Sequence, residues 1–125
     1  MNAVSLGERK LTELDYGRLI QLPAARGVSP LADLLGEAEV LETSRMPQDV
    51  VTMYAQVQVE DLASRRRSRF VLCYPGQTEP RDGYISVLSP VGLALIGTRV
   101  GTLASWQSPA GAQCQAKVLA VARAA

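Results

Sequence analysis

No histidine occurs among the 125 residues of the chain. Its absence removes the commonest general base, the commonest neutral metal ligand and every Ser-His or Cys-His nucleophile pair. No run approaches the roughly 18 consecutive apolar residues of a membrane span. Residues 1–10 hold no apolar stretch suited to a secretory leader. A cytoplasmic protein without membrane contact is therefore expected. Charge of one sign is also lacking: the formal net charge is +1, so any anionic partner must be met by a local patch rather than a long-range field. Cysteine is scarce, and Cys73 and Cys114 both lie in apolar, strand-like surroundings, where small buried thiols are expected rather than a bridge. There is no internal repeat. A chain of this length predicts one core with at most one small appendage.

What is present starts with helix-capping chemistry. Thr12 can cap a first helix whose third residue is Asp15, with Leu11, Leu14, Leu19, Ile20 and Leu22 at about helical spacing and Pro23 as the stop. Ser29 followed by Pro30 starts a second helix carrying Leu31, Leu34, Leu35 and Ala38. Two arms of about ten residues would each be about 15 Å long, a short antiparallel helical hairpin. From about Glu39 the apolar period falls to two. Residues 52–59 predict a strand with Met53, Ala55, Val57 and Val59 on its buried face, and residues 69–74 a second one across a hairpin at 61–68. A loop at 75–83 leads to a strand at 84–88. Ser89-Pro90 opens a buried helix that Gly97 can close, and strands at 100–106 and 114–122 follow, with the end at 123–125 free to fray. The expected fold class is α+β: a short N-terminal helical hairpin (1–45), then an antiparallel sheet with one packed short helix (46–125).

The run Ile85-Ser86-Val87-Leu88-Ser89-Pro90-Val91-Gly92-Leu93-Ala94-Leu95-Ile96-Gly97 is followed by Val100-Gly101 and by Trp106-Gln107-Ser108-Pro109-Ala110-Gly111. These residues resemble the C-terminal FKBP-like domain shared by the GreA/GreB transcription elongation factors and the Rnk (nucleoside diphosphate kinase regulator) family. Met46-Pro47-Gln48-Asp49-Val50-Val51-Thr52-Met53 resembles the segment that introduces this domain in Rnk proteins. The resemblance implies docking on RNA polymerase near its secondary channel, around Leu88, Ser89 and Pro90. Gre factors usually carry an Asp where this chain has Leu88, which implies a mainly apolar docking edge. In Gre factors a long coiled coil presents acidic residues at its tip for the metal that cleaves backtracked RNA. Here residues 23–28 have no carboxylate, and a hard Mg²⁺ ion needs carboxylate oxygen. The implied protein competes with Gre factors and does no chemistry, with no cofactor, metal or small-molecule substrate. The fold name does not carry prolyl isomerase activity with it.

Each candidate also has a plainer structural explanation. Arg65, Arg66, Arg67 and Arg69 could meet RNA phosphate or an acidic rim, or form a solvated hairpin tip. Arg26 at the helical tip is a candidate contact or an ordinary surface arginine. Ser89-Pro90 is fully explained as a helix start, so its docking role rests on the resemblance. Asp33, Glu37, Glu39 and Glu42 read as a solvated face rather than a metal cluster. Trp106 and Tyr84 read as core aromatics rather than exposed anchors. The alternatives to a polymerase-binding regulator are an RNA-binding module using the arginine run, with weak nucleic-acid contact, and a residual prolyl isomerase.

Overall fold

A computed structural model of the protein describes residues 9–77 and 83–123. Part of the predicted loop at 75–83 and of the predicted fraying end at 123–125, together with most of residues 1–10, lies outside them. The chain enters as strand β1 (Lys10–Thr12) and passes directly into helix α1 (Glu13–Leu19). The boundary is the predicted one, with the Thr12 hydroxyl accepting the Asp15 N–H at 3.0 Å. A single 3₁₀ turn at Pro23–Ala25 leads to helix α2 (Pro30–Glu37), where the Ser29 hydroxyl accepts the Ala32 N–H at 3.0 Å. The two helices hold seven and eight residues, fewer than the ten predicted. Their neighbours take up the difference, because residues 10–12 and 39–41 are strands: β2 (Glu39–Leu41) pairs in parallel with β1. A Lys10–Glu39 ion pair at 2.7 Å fastens this ribbon.

The remaining strands are β3 (Gln56–Asp61), β4 (Arg67–Cys73), β5 (Tyr84–Ser86), β6 (Leu103–Gln107) and β7 (Gln113–Ala122), with helix α3 (Pro90–Leu95) between β5 and β6. They form one five-stranded sheet in the order β5-β4-β3-β7-β6. The sheet is not wholly antiparallel as predicted, because β5 runs parallel to β4. The strand expected from residue 52 begins at Gln56 instead. Tyr54 has a φ of 65°, a left-handed conformation that breaks a strand and that bulky residues rarely adopt. The predicted inward face is nevertheless correct, with Met53, Ala55, Val57 and Val59 all buried. Likewise β6 starts at Leu103 rather than at residue 100, after a turn in which Gly101 has a φ of 97°.

One core joins the parts. Leu19, Leu31, Leu34 and Leu35 from α1 and α2 pack with Val57, Leu72 and Val118 from the sheet, with Leu95 of α3 and with Ile96 just after it. Burying one such leucine or isoleucine side chain contributes about 1.5–3 kcal/mol. Gly97 closes α3 at a φ of 79°, as predicted. The same glycine carbonyl accepts the Lys10 N–H at 3.0 Å. An added Cβ at Gly97 would lie 3.1 Å from the Lys10 carbonyl oxygen, so close approach of β1 as well as backbone conformation calls for glycine here.

Candidate functional site

The segment 86–90 is built almost wholly from its own short side chains. The Ser89 hydroxyl donates to the Ser86 carbonyl at 2.7 Å and accepts the Gly92 N–H at 3.0 Å. The Ser86 hydroxyl accepts the Leu88 N–H at 3.0 Å. Ser89 is therefore saturated as a helix cap, and Leu88 is half-buried against the core. Pro90 is exposed at the first position of α3, where its missing N–H costs nothing. Of the three residues expected at the docking edge, only Pro90 stands clear of the protein.

Pro90 also forms part of the wall of a cleft of about 480 Å³ that lies between α2, α3 and β6. Leu34, Leu93, Leu103 and Ala104 supply an apolar lining, and Arg9, Glu37 and Arg99 supply charge. Arg9 is held in place: one guanidinium nitrogen, Nη1, donates to the Leu93 carbonyl at 2.6 Å and to the Ile96 carbonyl at 2.9 Å. These carbonyls belong to the C-terminal turn of α3, where a cation meets the negative end of the helix. Burial lowers the Arg9 pKa from its ordinary value, with Glu37 opposing the shift. Arg99 forms an exposed ion pair with Asp49 at 3.3 Å. None of Arg9, Arg99 and Glu37 was singled out together in the sequence, because residues 9, 37 and 99 meet only through the pairing of β1 with β2 and the return of the chain after α3.

The other candidates stand apart from this cleft. Arg26 is exposed just after the 3₁₀ turn, beside Gly27 at a φ of 71° and Val28, which is 99% exposed. The tip is closed by the Ser29 hydroxyl donating to the Ala24 carbonyl at 2.6 Å. In the arginine run all four side chains are exposed on the β3–β4 hairpin. Glu60 pairs with two of them, Arg65 at 3.2 Å and Arg67 at 3.3 Å. The hydrogen bond from Arg65, with Arg67 adding to it, holds the Glu60 carboxyl below its usual range. Arg66 and Arg69 make no ion pair among the described residues.

The acidic residues disperse. Glu39 is engaged by Lys10, Glu37 faces the cleft, and no group of three potential metal ligands forms among the described residues. Cys73 is buried with its thiol on the Ile85 carbonyl, whereas Cys114 is only half-buried, contrary to expectation: it shares the face of buried Ala116 and Val118 but lies near the start of β7, where the core thins out. Trp106 packs on the core as predicted. Tyr84 does not: it is 38% exposed on the edge strand β5.

A family model described as "Transcription elongation factor, GreA/GreB, C-term" matches residues 46–123. The chain is 34% identical over 116 residues to the "Regulator of nucleoside diphosphate kinase" of Escherichia coli (strain K12), covering 87% of this chain and 85% of that protein. It is 35% identical over 83 residues to "Transcription elongation factor GreA" of Thermodesulfovibrio yellowstonii, covering 66% of this chain and 52% of that one. Among solved structures, "Prokaryotic transcription elongation factor GreA/GreB from Nitrosomonas europaea" matches with a TM-score of 0.74 at 28% identity, over 93% of this chain and 98% of that one. The Gfh1 protein of Thermus thermophilus shares the fold, with a TM-score of 0.53 at 24% identity over 93% of this chain and 99% of that one.

Proposed function

Because the chain belongs to the GreA/GreB family, its relatives being transcription factors and a regulator of nucleoside diphosphate kinase, we propose that it is a transcription regulator that binds RNA polymerase near the secondary channel. In this reading it competes with Gre factors and does not stimulate RNA cleavage. The observation that carries it is the tip between α1 and α2. Residues 20–29 contain no Asp or Glu, so no carboxylate is available there to hold a catalytic Mg²⁺ ion. Helices of seven and eight residues extend only about 10–12 Å at 1.5 Å per residue, a reach suited to the mouth of a channel. Arg26 and exposed Val28 are the residues such a tip would offer there.

The docking edge belongs to the same reading. Pro90 is the exposed member of Leu88, Ser89 and Pro90 and sits on the rim of the cleft between α2, α3 and β6; with Leu88 where Gre factors usually carry an Asp, the contact is mainly apolar. The FKBP-like character of the sheet, the helical-hairpin character of residues 13–37, the division at residue 46 and a cytoplasmic location are parts of this proposal too. A match of the family model beginning at residue 46 supports the division.

The test is retention of purified core RNA polymerase by this protein, with a Gre factor as competitor and Pro90→Ala as the variant. Gre-sensitive retention weakened by the substitution is the expected result. Absence of retention at micromolar protein, or retention indifferent to Gre, overturns it. A parallel transcript-cleavage assay on backtracked complexes should show no stimulation.

A further inference from the structure

We propose that the cleft between α2, α3 and β6 is a binding site for a small carboxylate with an apolar tail, its anion held by Arg9 and Arg99 and its tail laid on Leu34, Leu93 and Leu103. This is separate from the polymerase reading and is tested on the chain alone.

The volume, about 480 Å³, lies within the usual range for metabolite-sized ligands, and a mainly apolar wall with a few placed polar groups is the usual lining of such sites. Leu103, the first residue of β6, is 55% exposed and contributes accessible apolar surface to this wall. Among the described residues β6 pairs only with β7 and so forms one edge of the sheet.

The charges favour an anion. Arg9 and Arg99 supply two positive charges to the wall against one negative charge from Glu37. Arg9 spends Nη1 on the carbonyls of Leu93 and Ile96, and its remaining donors have no protein partner among the described residues. The guanidinium is thus fixed in orientation yet incompletely paired, and a planar carboxylate suits its fork geometry. Burial already disfavours the Arg9 cation, a cost that an arriving anion offsets. Asp49 competes for Arg99, but that pair is exposed on both sides. Exposed pairs of this kind exchange readily because they contribute little. Thr102 and Ser105 add hydroxyls to the wall and can donate to a second carboxylate oxygen.

Octanoate is the probe, followed by amide chemical shifts of the isotope-labelled full chain. Octylamine, with the same tail and opposite charge, and inorganic phosphate, an anion without a tail, are the comparisons. Saturable shifts with octanoate are expected at Leu34, Leu93, Leu103 and Ala104, with neither comparison reproducing them. Arg99→Gln and Leu103→Glu alter exposed side chains and leave the core intact, so each should keep the amide pattern of the parent. Each is expected to weaken octanoate binding about tenfold or more. Octanoate shifts that do not saturate, that octylamine matches, or that phosphate alone reproduces would overturn the proposal. So would undiminished affinity in both variants.

Discussion

The carboxylate of Asp15 accepts the backbone N–H of Met53 at 3.0 Å in a buried setting, fastening the first turn of α1 to the segment that enters the sheet. Desolvation raises the Asp15 pKa from the ordinary value of 3.8, outweighing the bonds from Met53 and Thr12 that lower it. An acid whose pKa is raised by folding contributes stability that is fully present below its unfolded value and lost as pH rises through the folded one. Asp15→Asn keeps an acceptor for Met53 and abolishes the titration. Urea denaturation across the acid range should show the Asn variant gaining on the parent as pH rises from below 3.8 toward neutrality. A pH-independent difference would mean that burial does not penalise the ionised form. Asp15→Ala, which strands the Met53 N–H, should cost about 1–3 kcal/mol.

Gly92 is the interior glycine of α3, and helix propensity alone would make Gly92→Ala stabilising by about 1 kcal/mol. The packing reverses the sign. A Cβ at this position would meet the Ser86 carbonyl oxygen at 2.3 Å and the Val87 Cα at 2.8 Å. Both are backbone atoms that cannot swing away, so the helix or the β5–α3 connection must shift. Gly92→Ala is expected to destabilise by about 1–3 kcal/mol. Thermal or urea denaturation measures this directly, and a variant as stable as the parent would show that α3 is free to slide.

The helix starts were legible because capping is local. Thr12, Ser29 and Ser89 each accept the N–H three residues on, at 3.0 Å in all three cases, and each cap and its partner lie within one turn of sequence. The inward face of β3 was legible for the same reason, its period of two needing no distant partner. The β1–β2 ribbon was not, because strands of three residues carry almost no pattern and parallel pairing is decided by the two helices folded between them. Tyr54 gave no sign of its left-handed backbone, whose N–H donates to the Leu72 carbonyl of β4, a partner 18 residues away in sequence. The Ser89-Pro90 helix start could be read from its residues, while the cleft beside it could not: Arg9 and Arg99 flank it from distant parts of the chain.

Glu60 decides how much of the arginine run is available to phosphate. Its carboxylate engages Arg65 and Arg67, leaving Arg66 and Arg69 as the cations without an ion pair among the described residues. Glu60→Gln releases both partners while keeping the size and shape of the half-buried side chain, so the fold should be little affected. If the hairpin makes weak contact with RNA, the variant should bind single-stranded RNA more tightly than the parent and with a steeper salt dependence, by about one to two phosphate contacts. Arg66→Ala combined with Arg67→Ala should then abolish the binding. RNA affinity unchanged in Glu60→Gln would leave the hairpin as a solvated tip.

Ser89 and Pro90 are adjacent, and their surroundings differ. Ser89 is half-buried, and its hydroxyl both donates to the Ser86 carbonyl and accepts the Gly92 N–H, so Ser89→Ala removes a helix cap and should cost about 1 kcal/mol of stability. Pro90 is exposed, with no N–H to lose, so Pro90→Ala should change stability by only a few tenths of a kcal/mol. Polymerase retention should follow the reverse order. Ser89→Ala, once folded, leaves the Pro90 surface in place and should bind almost as the parent does, whereas Pro90→Ala should weaken retention without unfolding the chain. Denaturation curves and polymerase retention measured on the same two variants separate the roles. If both variants lose retention in proportion to their loss of stability, residues 88–90 act only as a helix start and the docking surface must be sought elsewhere.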